Sequence, residues 1–341
     1  MALRLLFITP TIDEQDDDLA FTSLWARTFF EAGYDVTVIC GRKGETSLPF
    51  PVYGLGHDNK GGSKFKPIFR LLRLITTLKY DRVFVHMNTG YLAVGAWYWW
   101  LRRIPTYLWW THYTRPRTFR MSEFVLKRLF AATKESLPQF DGDPRKVVTG
   151  HGIDTHFWNV PAVSDEAREP KEHLLAVHRI SRSKRLELTI RALALLPPEY
   201  TLTHYGRPLN PADDLAYEKE MHALVKELGL ESRVRFMGSV PMPQLCEIYP
   251  RYQTFINIVP KTIDKSVLEA MYCGLTPVLT NGQAEAIGGL SYPKDDTPEA
   301  IAEYIRTMRI MSREELRQIV DERHSLKRLI NVLSEYIQPG I

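Results

Sequence analysis

The stretch LAVHRISRSK, Leu175–Lys184, begins as a short apolar run and ends on an Arg and a Lys five residues apart. A run apolar on both faces marks a strand covered by helices on both sides. Leu186–Leu196 follows with apolar residues at helical spacing, and the alternation continues downstream. Leu202–Tyr205, Val234–Met237, Phe255–Val259, Pro277–Thr280 and Leu290–Tyr292 read as strands. Leu215–Leu228, Met242–Tyr249 and a segment opening near Ser266 and stopping at Gly274 read as helices. Two helical runs, Pro298–Met308 and Arg313–Tyr336, close the chain. Upstream, Leu3–Thr9, Val36–Cys40, Val83–His86, Tyr107–Trp110, Leu129–Ala132 and Val147–Val148 read as strands, and Leu19–Ala32 as a helix ending at Gly33. This order predicts an α/β chain with two doubly wound, Rossmann-like halves. VPAVSDEAREP, just before the second series, is polar, carries two prolines and reads as a linker. The expected domains are therefore 1–160 and 171–325. Open α/β sheets bind ligands at the carboxyl ends of their strands, so a central cleft between the halves is the expected site.

Composition narrows the class. The 341 residues are 44% hydrophobic and 25% charged, which excludes disorder, collagen and coiled coil as the main description. Cys40, Cys246 and Cys273 are too scattered for a disulfide framework or a zinc cluster and read as buried thiols. The start, MALRLLFITP, has too short an apolar run for a secretory signal, and no charge-free apolar run is long enough to span a membrane. A cytoplasmic protein is expected. The net charge of +4 is uneven: between Arg42 and Arg128 there are 16 basic and 4 acidic residues. Such a stretch attracts an anionic partner or forms a solvated basic face.

Four segments, in order, carry a family resemblance: GHGIDTHFW at Gly150–Trp158, LAVHRISRSK, VRFMGSV at Val234–Val240, and DKSVLEAMYCG at Asp264–Gly274 after the strand FINIV. In this order and spacing they resemble the retaining glycosyltransferases of the GT-B fold, specifically family 4, over nearly the whole chain. The resemblance implies two Rossmann-like domains facing a central cleft, with a nucleotide-sugar donor on the second and the acceptor on the first. It implies that a last helix, within 326–341, crosses back to the first domain. There are departures. His178 stands where the family has Gly, and His151 where it has Asn. Lys261 stands at the first Glu of a Glu-x7-Glu pair whose second member is Glu269, and Asp264 is the nearest acid that could substitute. TPTIDEQDDDLAF replaces the usual glycine-rich turn after the first strand.

A departing diphosphate needs fixed cations and backbone donors where no metal serves. By resemblance, Arg179 and Lys184 contact it, Arg as a bidentate fork and Lys as a point charge. The helix opening near Ser266 offers free N–H groups, an anion site to which the family brings the donor phosphate; Lys265, Ser266 and Val267 fall there. Glu269 by resemblance accepts from the ribose; alternatively, Ser266-Val-Leu-Glu269 fits a capping box in which Glu269 caps the helix. Gly206, Met237 and Ser239 lie where the family reads the base, UDP being commoner than GDP. His112, after the strand YLWW, matches a family His near the donor sugar, and His86 has similar geometry one strand earlier. His151 and Asp154 suit the cleft wall as well as a ligand. The resemblance implies front-face attack with no covalent nucleophile.

Two Asp-x-Asp triplets, Asp16–Asp18 and Asp141–Asp143, lack the strand context of a metal site, so no metal and no cofactor beyond the UDP- or GDP-sugar is expected. The acceptor is expected to be a glycan or a lipid-linked one. KFKPIFRLLRLITTLK, Lys64–Lys79, places Phe65, Ile68, Phe69, Leu72 and Ile75 or Leu78 on one side among basic residues. Such a helix suits an anionic membrane surface, with the aromatic Trp97–Trp110 region as added anchors, or simply packs on the first sheet. A peripheral position on the inner membrane face is thus a further expectation. The rivals are a nucleotide-sugar-binding protein without turnover, suggested by Lys261, and a nucleic-acid binder, for which no recognisable module is present. No nucleic-acid partner is expected.

Overall fold

The computed structural model describes residues 2–16, 19–56, 65–210, 212–260 and 262–338. Lys261, Asp17, Asp18 and Lys64, singled out above, lie outside the described residues. The elements, in chain order, are β1 (Arg4–Ile12), α1 (Phe21–Glu31), β2 (Asp35–Lys43), β3 (Val52–Gly54), α2 (Phe65–Thr77), β4 (Arg82–His86), α3 (Thr89–Leu101), β5 (Thr106–Trp109), α4 (Arg117–Arg120), β6 (Leu126–Ala131) and β7 (Lys146–Val148). They continue with β8 (His173–Val177), α5 (Leu186–Ala194), β9 (Thr201–Tyr205), α6 (Asp213–Glu227), β10 (Val234–Phe236), α7 (Met242–Ile248), β11 (Thr254–Asn257), α8 (Lys265–Cys273), β12 (Thr276–Leu279), α9 (Asn281–Ile287), α10 (Pro298–Thr307), α11 (Arg313–Arg323) and α12 (Leu326–Ile337).

The chain forms two compact units, residues 1–151 with 326–341, and residues 152–325. In the first, a seven-stranded parallel sheet has the order β3-β2-β1-β4-β5-β6-β7. Side chains alternate across it, as the pleat requires. Leu6 and Ile8 of β1 join Leu71 and Ile75 of α2 and Leu92 and Trp99 of α3 in one core cluster. Phe7 points the other way, stacking on Phe84 and meeting Phe29 of α1. α12 packs on α1 within the same unit. Its end is tied to the sheet: the Tyr107 hydroxyl donates to Tyr336 O at 3.0 Å, and Arg82 Nε donates to Ile337 O at 3.2 Å.

The second unit has a five-stranded parallel sheet, order β10-β9-β8-β11-β12. Leu174 and Ala176 of β8 face α5, α6 and α10, whereas Leu175 faces α8 and α11. The chain runs outward from β8 to β10, then returns to place β11 on the other side of β8. The neighbours β8 and β11 are therefore the point where strand order reverses, the usual ligand position in such sheets. β1 and β4 have the same relation in the first sheet.

Several expectations require correction. The unit boundary falls after His151, not at 160. Ile153 and Trp158 are buried in the second unit's core, and the polar stretch is stitched to that unit by Arg168 Nη2, which donates to Tyr252 O and Gly274 O. Leu290–Tyr292 is not a strand; it follows Gly288 and Gly289, both at positive φ, and Ser291 bonds Tyr304 instead of a ladder. The run Arg313–Tyr336 breaks at His324 and Ser325, where His324 Nε2 donates to Ile287 O and His324 O accepts from Ile153 N, both at 2.9 Å. The helix read from Leu19 starts at Phe21, and the predicted stop at Gly274 is a left-handed C-cap at φ 99°. Strand β3 and helices α3, α4 and α9 were not anticipated.

Leu333 of α12 is fully buried. Leu333→Ala should destabilise the first unit by about 2–5 kcal/mol, the range for an emptied leucine site. Scanning calorimetry should show the transition of that unit moving down while the transition of the second unit stays in place.

Candidate active site

β8 delivers its chain to a turn at the carboxyl edge of the second sheet. Arg179, exposed, stands on this turn and makes no ion pair among the described residues. A short 3-10 turn, Arg182–Lys184, leads into α5. Lys184 Nζ meets Asp264 Oδ2 at 2.5 Å, with the two side chains only 16% and 20% exposed. Burial alone would raise the Asp264 carboxyl, but the Lys184 ammonium and the Asn257 amide hold it down at about 2. Asn257 closes β11 and is wholly buried; its Nδ2 donates to Asp264 Oδ2 at 3.0 Å. Its Oδ1 accepts from Val259 N and from Gln283 Nε2, each at 3.2 Å. Thr280 Oγ1 donates to Val259 O at 2.8 Å. A buried amide network thus sits beneath the ion pair, on β11 and α9.

Asp264 is the N-cap residue of α8, so the helix starts at Lys265 and not at Ser266. Glu269 then falls at the fifth helical position and is not placed for a capping box, which removes that alternative. Asp264 makes no side-chain cap bond, and the first N–H groups of the helix have no side-chain cap. Ser266 Oγ is buried without a hydrogen-bond partner. Val267 is buried and its N–H returns to Asp264 O at 3.1 Å. Glu269 is buried, and burial holds its carboxyl well above the usual range; Lys265 opposes this and Asp264 adds to it.

His178 sits beside the pair. Its Nδ1 lies 3.1 Å from Arg179 O and 3.3 Å from His204 Nε2. One site cannot serve both as donor to the carbonyl and as acceptor from the second ring. Burial, then the Lys184 charge, push His178 down to about 4. Burial likewise pushes His204 well below its ordinary value, and His204 Nδ1 has no partner. The backbone packs equally closely here. Gly206 has φ 142°, its N–H donates to Gly238 O at 2.8 Å, and a Cβ on it would lie 2.0 Å from His178 O. Only glycine fits that contact. Met237, half exposed, donates its N–H to His204 O at 2.9 Å, and Ser239 Oγ accepts from Arg207 Nε at 3.2 Å.

The remaining candidates separate. Lys184, Asp264 and His178 come together, with the start of α8 beside them. His112 belongs to the first unit, where its ring lies edge-on to Trp110 at 4.9 Å. His86 is buried at the end of β4 among Phe7, Phe21 and Trp25, with Thr9 Oγ1 3.4 Å from its Nδ1. Asp154 accepts from the N–H groups of His156 and Phe157, a turn-forming role. Asp141 pairs with Lys146 and Asp143 with Arg145. Asn257, Gln283 and His204 were not found from sequence. Asn257, a lone amide inside the apolar run FINIV, was the available signal.

The chain matches two family models: "Glycosyl transferases group 1" over residues 171–309 and "Glycosyl transferase 4-like" over residues 15–137. The chain thus carries a glycosyltransferase domain in each of these two stretches, and its fold is GT-B. The lipopolysaccharide core biosynthesis mannosyltransferase LpcC of Rhizobium leguminosarum bv. viciae is 28% identical over 170 residues, 47% of this chain and 47% of that protein. The match therefore spans about half the length of that curated relative. Among solved structures, Anabaena Alr3699/HepE with UDP and glucose has a TM-score of 0.77 at 18% identity, covering 98% of each chain. WaaG, a glycosyltransferase of lipopolysaccharide biosynthesis, has a TM-score of 0.67 at 16% identity, covering 98% of this chain and 100% of that one.

Buried His204 and partly buried His178 give the second unit a pH dependence. Unfolded, each binds a proton below about pH 6.5, whereas folded they remain neutral. The unfolded state then holds more protons, so stability falls as pH drops from about 6.5 toward 4, and Asp264 adds to the loss once the pH enters the carboxylate range. The melting temperature of the second unit should fall between pH 7 and pH 5. A His178→Gln/His204→Asn variant should show a smaller fall; an equal one would remove the histidines as its cause.

Proposed function

We propose that this chain transfers a hexose from a nucleoside-diphosphate sugar, UDP in preference to GDP, to a glycan or lipid-linked acceptor, with retention at the anomeric carbon. The observation that carries the reading is the junction of Lys184 with the start of α8. A cation held beside uncapped helical N–H groups, with exposed Arg179 on the same turn, suits a diphosphate. The family matches and the UDP named in the HepE structures support the same reading. So does the name of LpcC, for a sugar added to a lipopolysaccharide core.

In this reading the bond from the anomeric carbon to the diphosphate oxygen breaks as the acceptor oxygen attacks on the same face. The departing phosphate takes the acceptor proton. Arg179, Lys184 and the α8 amides stabilise the charge that grows on the leaving group, so no metal is required. Gly206, Met237 and Ser239 border the base, and Glu269 accepts from the ribose. Buried and raised, Glu269 remains able to exchange a proton near neutrality, whereas Asp264 stays ionised. His112 holds a hydroxyl of the donor sugar or orients the acceptor.

Arg179→Ala and Lys184→Ala should each cost roughly 2–4 kcal/mol of transition-state stabilisation, by analogy with lost oxyanion donors. Single-turnover transfer from a UDP-sugar panel, with EDTA present, measures it. Wild-type rates in both variants would remove the phosphate clamp. Nucleotide binding without any transfer or donor hydrolysis would instead favour the binding-protein reading suggested by Lys261.

The first unit supports a peripheral membrane position. α2 carries two apolar stripes rather than one. Pro67, Leu71 and Ile75 are buried in the core, while Phe65, Ile68, Phe69 and Leu72 are exposed between Lys66, Arg70 and Arg73. Of the tryptophans in the expected anchor region, Trp97 and Trp100 are exposed and cluster with Phe124; Trp99, Trp109 and Trp110 are buried. Exposed aromatics among cations suit an anionic interface. Among the described residues no helix is long and apolar enough to cross a membrane. Vesicles containing anionic lipid should sediment the protein at low salt, and Phe65→Ser/Phe69→Ser should release it. No binding to such vesicles would exclude the membrane contact.

A further inference from the structure

Asp264 occupies a helix N-cap yet does not cap its helix. An Asp there ordinarily accepts from one of the first helical N–H groups and so stabilises the helix. Its Oδ2 instead receives Lys184 Nζ at 2.5 Å and Asn257 Nδ2 at 3.0 Å. Asn257 cannot turn away, because Val259 N and Gln283 Nε2 fix its Oδ1. Gln283 is itself wholly buried, and its Nε2 also reaches Asn257 O and Val259 O, at 3.2 and 3.1 Å. A rigid amide and an ammonium together draw the carboxylate off the helix end. Two consequences follow: no side chain caps the start of α8, and Lys184 is paired with an anion before any ligand arrives.

We propose that Asp264 is a positioning residue that competes with the nucleotide diphosphate for Lys184, and so sets how readily the nucleoside diphosphate leaves after transfer. The proposal rests on the nucleotide-sugar reading above. A diphosphate at the start of α8 shares Lys184 with a carboxylate that Asn257 holds in place. Shielded from water, the two anions repel more than they would at the surface. Free nucleoside diphosphate carries more negative charge than the same group esterified to a sugar. The repulsion therefore weighs more on product than on donor. In the empty site, the same carboxylate keeps the half-buried ammonium paired and ordered, so the lysine is in place when a donor arrives.

Calorimetric titration with UDP, and with GDP in parallel, tests this on wild type, Asp264→Asn, Asp264→Ser, Lys184→Gln and Asp264→Asn/Lys184→Gln. Asp264→Asn retains an oxygen that can accept from Asn257 and Lys184; Asp264→Ser supplies a second, smaller acceptor. Both should bind the nucleotide about fivefold or more tightly than wild type, equivalent to roughly 1 kcal/mol. Lys184→Gln should bind more weakly, and the gain from Asp264→Asn should shrink in its background, since the competition is for that lysine. A merely structural Asp264 would lower affinity or leave it unchanged. If wild type binds nucleotide and neither Asp264 variant, each folded by circular dichroism, binds more tightly, the proposal is overturned and the donor-site reading stands. If wild type binds neither nucleotide at millimolar concentration, the donor-site reading falls and the proposal falls with it.

Discussion

The ion pair between Lys184 and Asp264 joins two turns that are 80 residues apart in the chain. It is possible because β8 and β11 are neighbours at the point where strand order reverses. A doubly wound sheet sends the helices after these two strands to opposite faces, which opens a gap at their carboxyl ends. Lys184 comes to the gap from the β8 side and Asp264 from the β11 side. The closure of that gap by one charge pair determines where His178, Arg179 and the start of α8 stand. The first sheet repeats the geometry at β1 and β4, but fills the junction with Thr9, His86 and aromatic rings rather than with charge. The strand order around the reversal point is the same in both units, so the difference in chemistry comes from the side chains there.

The surroundings of the pair are polar to a degree that packing alone does not favour. Gln283 Oε1, Ser266 Oγ and His204 Nδ1 are all buried without partners. Each such group forfeits about 1–3 kcal/mol of hydrogen bonding. All three touch the same neighbourhood: Gln283 bonds Asn257, Ser266 follows the N-cap of α8, and His204 backs His178. An apolar repacking would satisfy the fold better. Unsatisfied polar groups beside a buried amide network and an ion pair suit a site for a polar ligand.

The sheets were legible because buried parallel strands are apolar on both faces, and runs such as LLAV and TFIN have no competing reading. Elements set by tertiary contacts were not. Leu290–Tyr292 has strand composition, but two glycines turn the chain before it and it joins neither edge of the sheet. Arg313–Tyr336 reads as one helix because its apolar period continues through His324, and only the bonds of that residue to Ile287 and Ile153 show the break. α2 reads as amphipathic in one direction, yet its core stripe and its exposed stripe are both apolar, and periodicity alone does not assign them. At the site, Arg179, Lys184 and the start of α8 were visible because charges after a strand and an N-terminal turn are local features. The role of Asn257 was not, since its partner Asp264 lies seven residues further on and its own restraint comes from α9.

On the nucleotide-sugar reading, the two cations of the β8 turn differ in what binding demands of them. Arg179 is exposed and must give up side-chain freedom to meet a phosphate, a loss of up to about 2 kcal/mol. Its planar fork recovers that through two parallel bonds. Lys184 has already lost its freedom to Asp264, so it contributes no further ordering cost, but it must exchange one anion for another. Arg179 is therefore suited to capture and Lys184 to the later stage, when charge accumulates on the leaving oxygen and the balance between carboxylate and phosphate shifts toward phosphate. A lysine held by a partly buried carboxylate responds to that accumulation more sharply than a fully solvated one, because less water is at hand to screen the change.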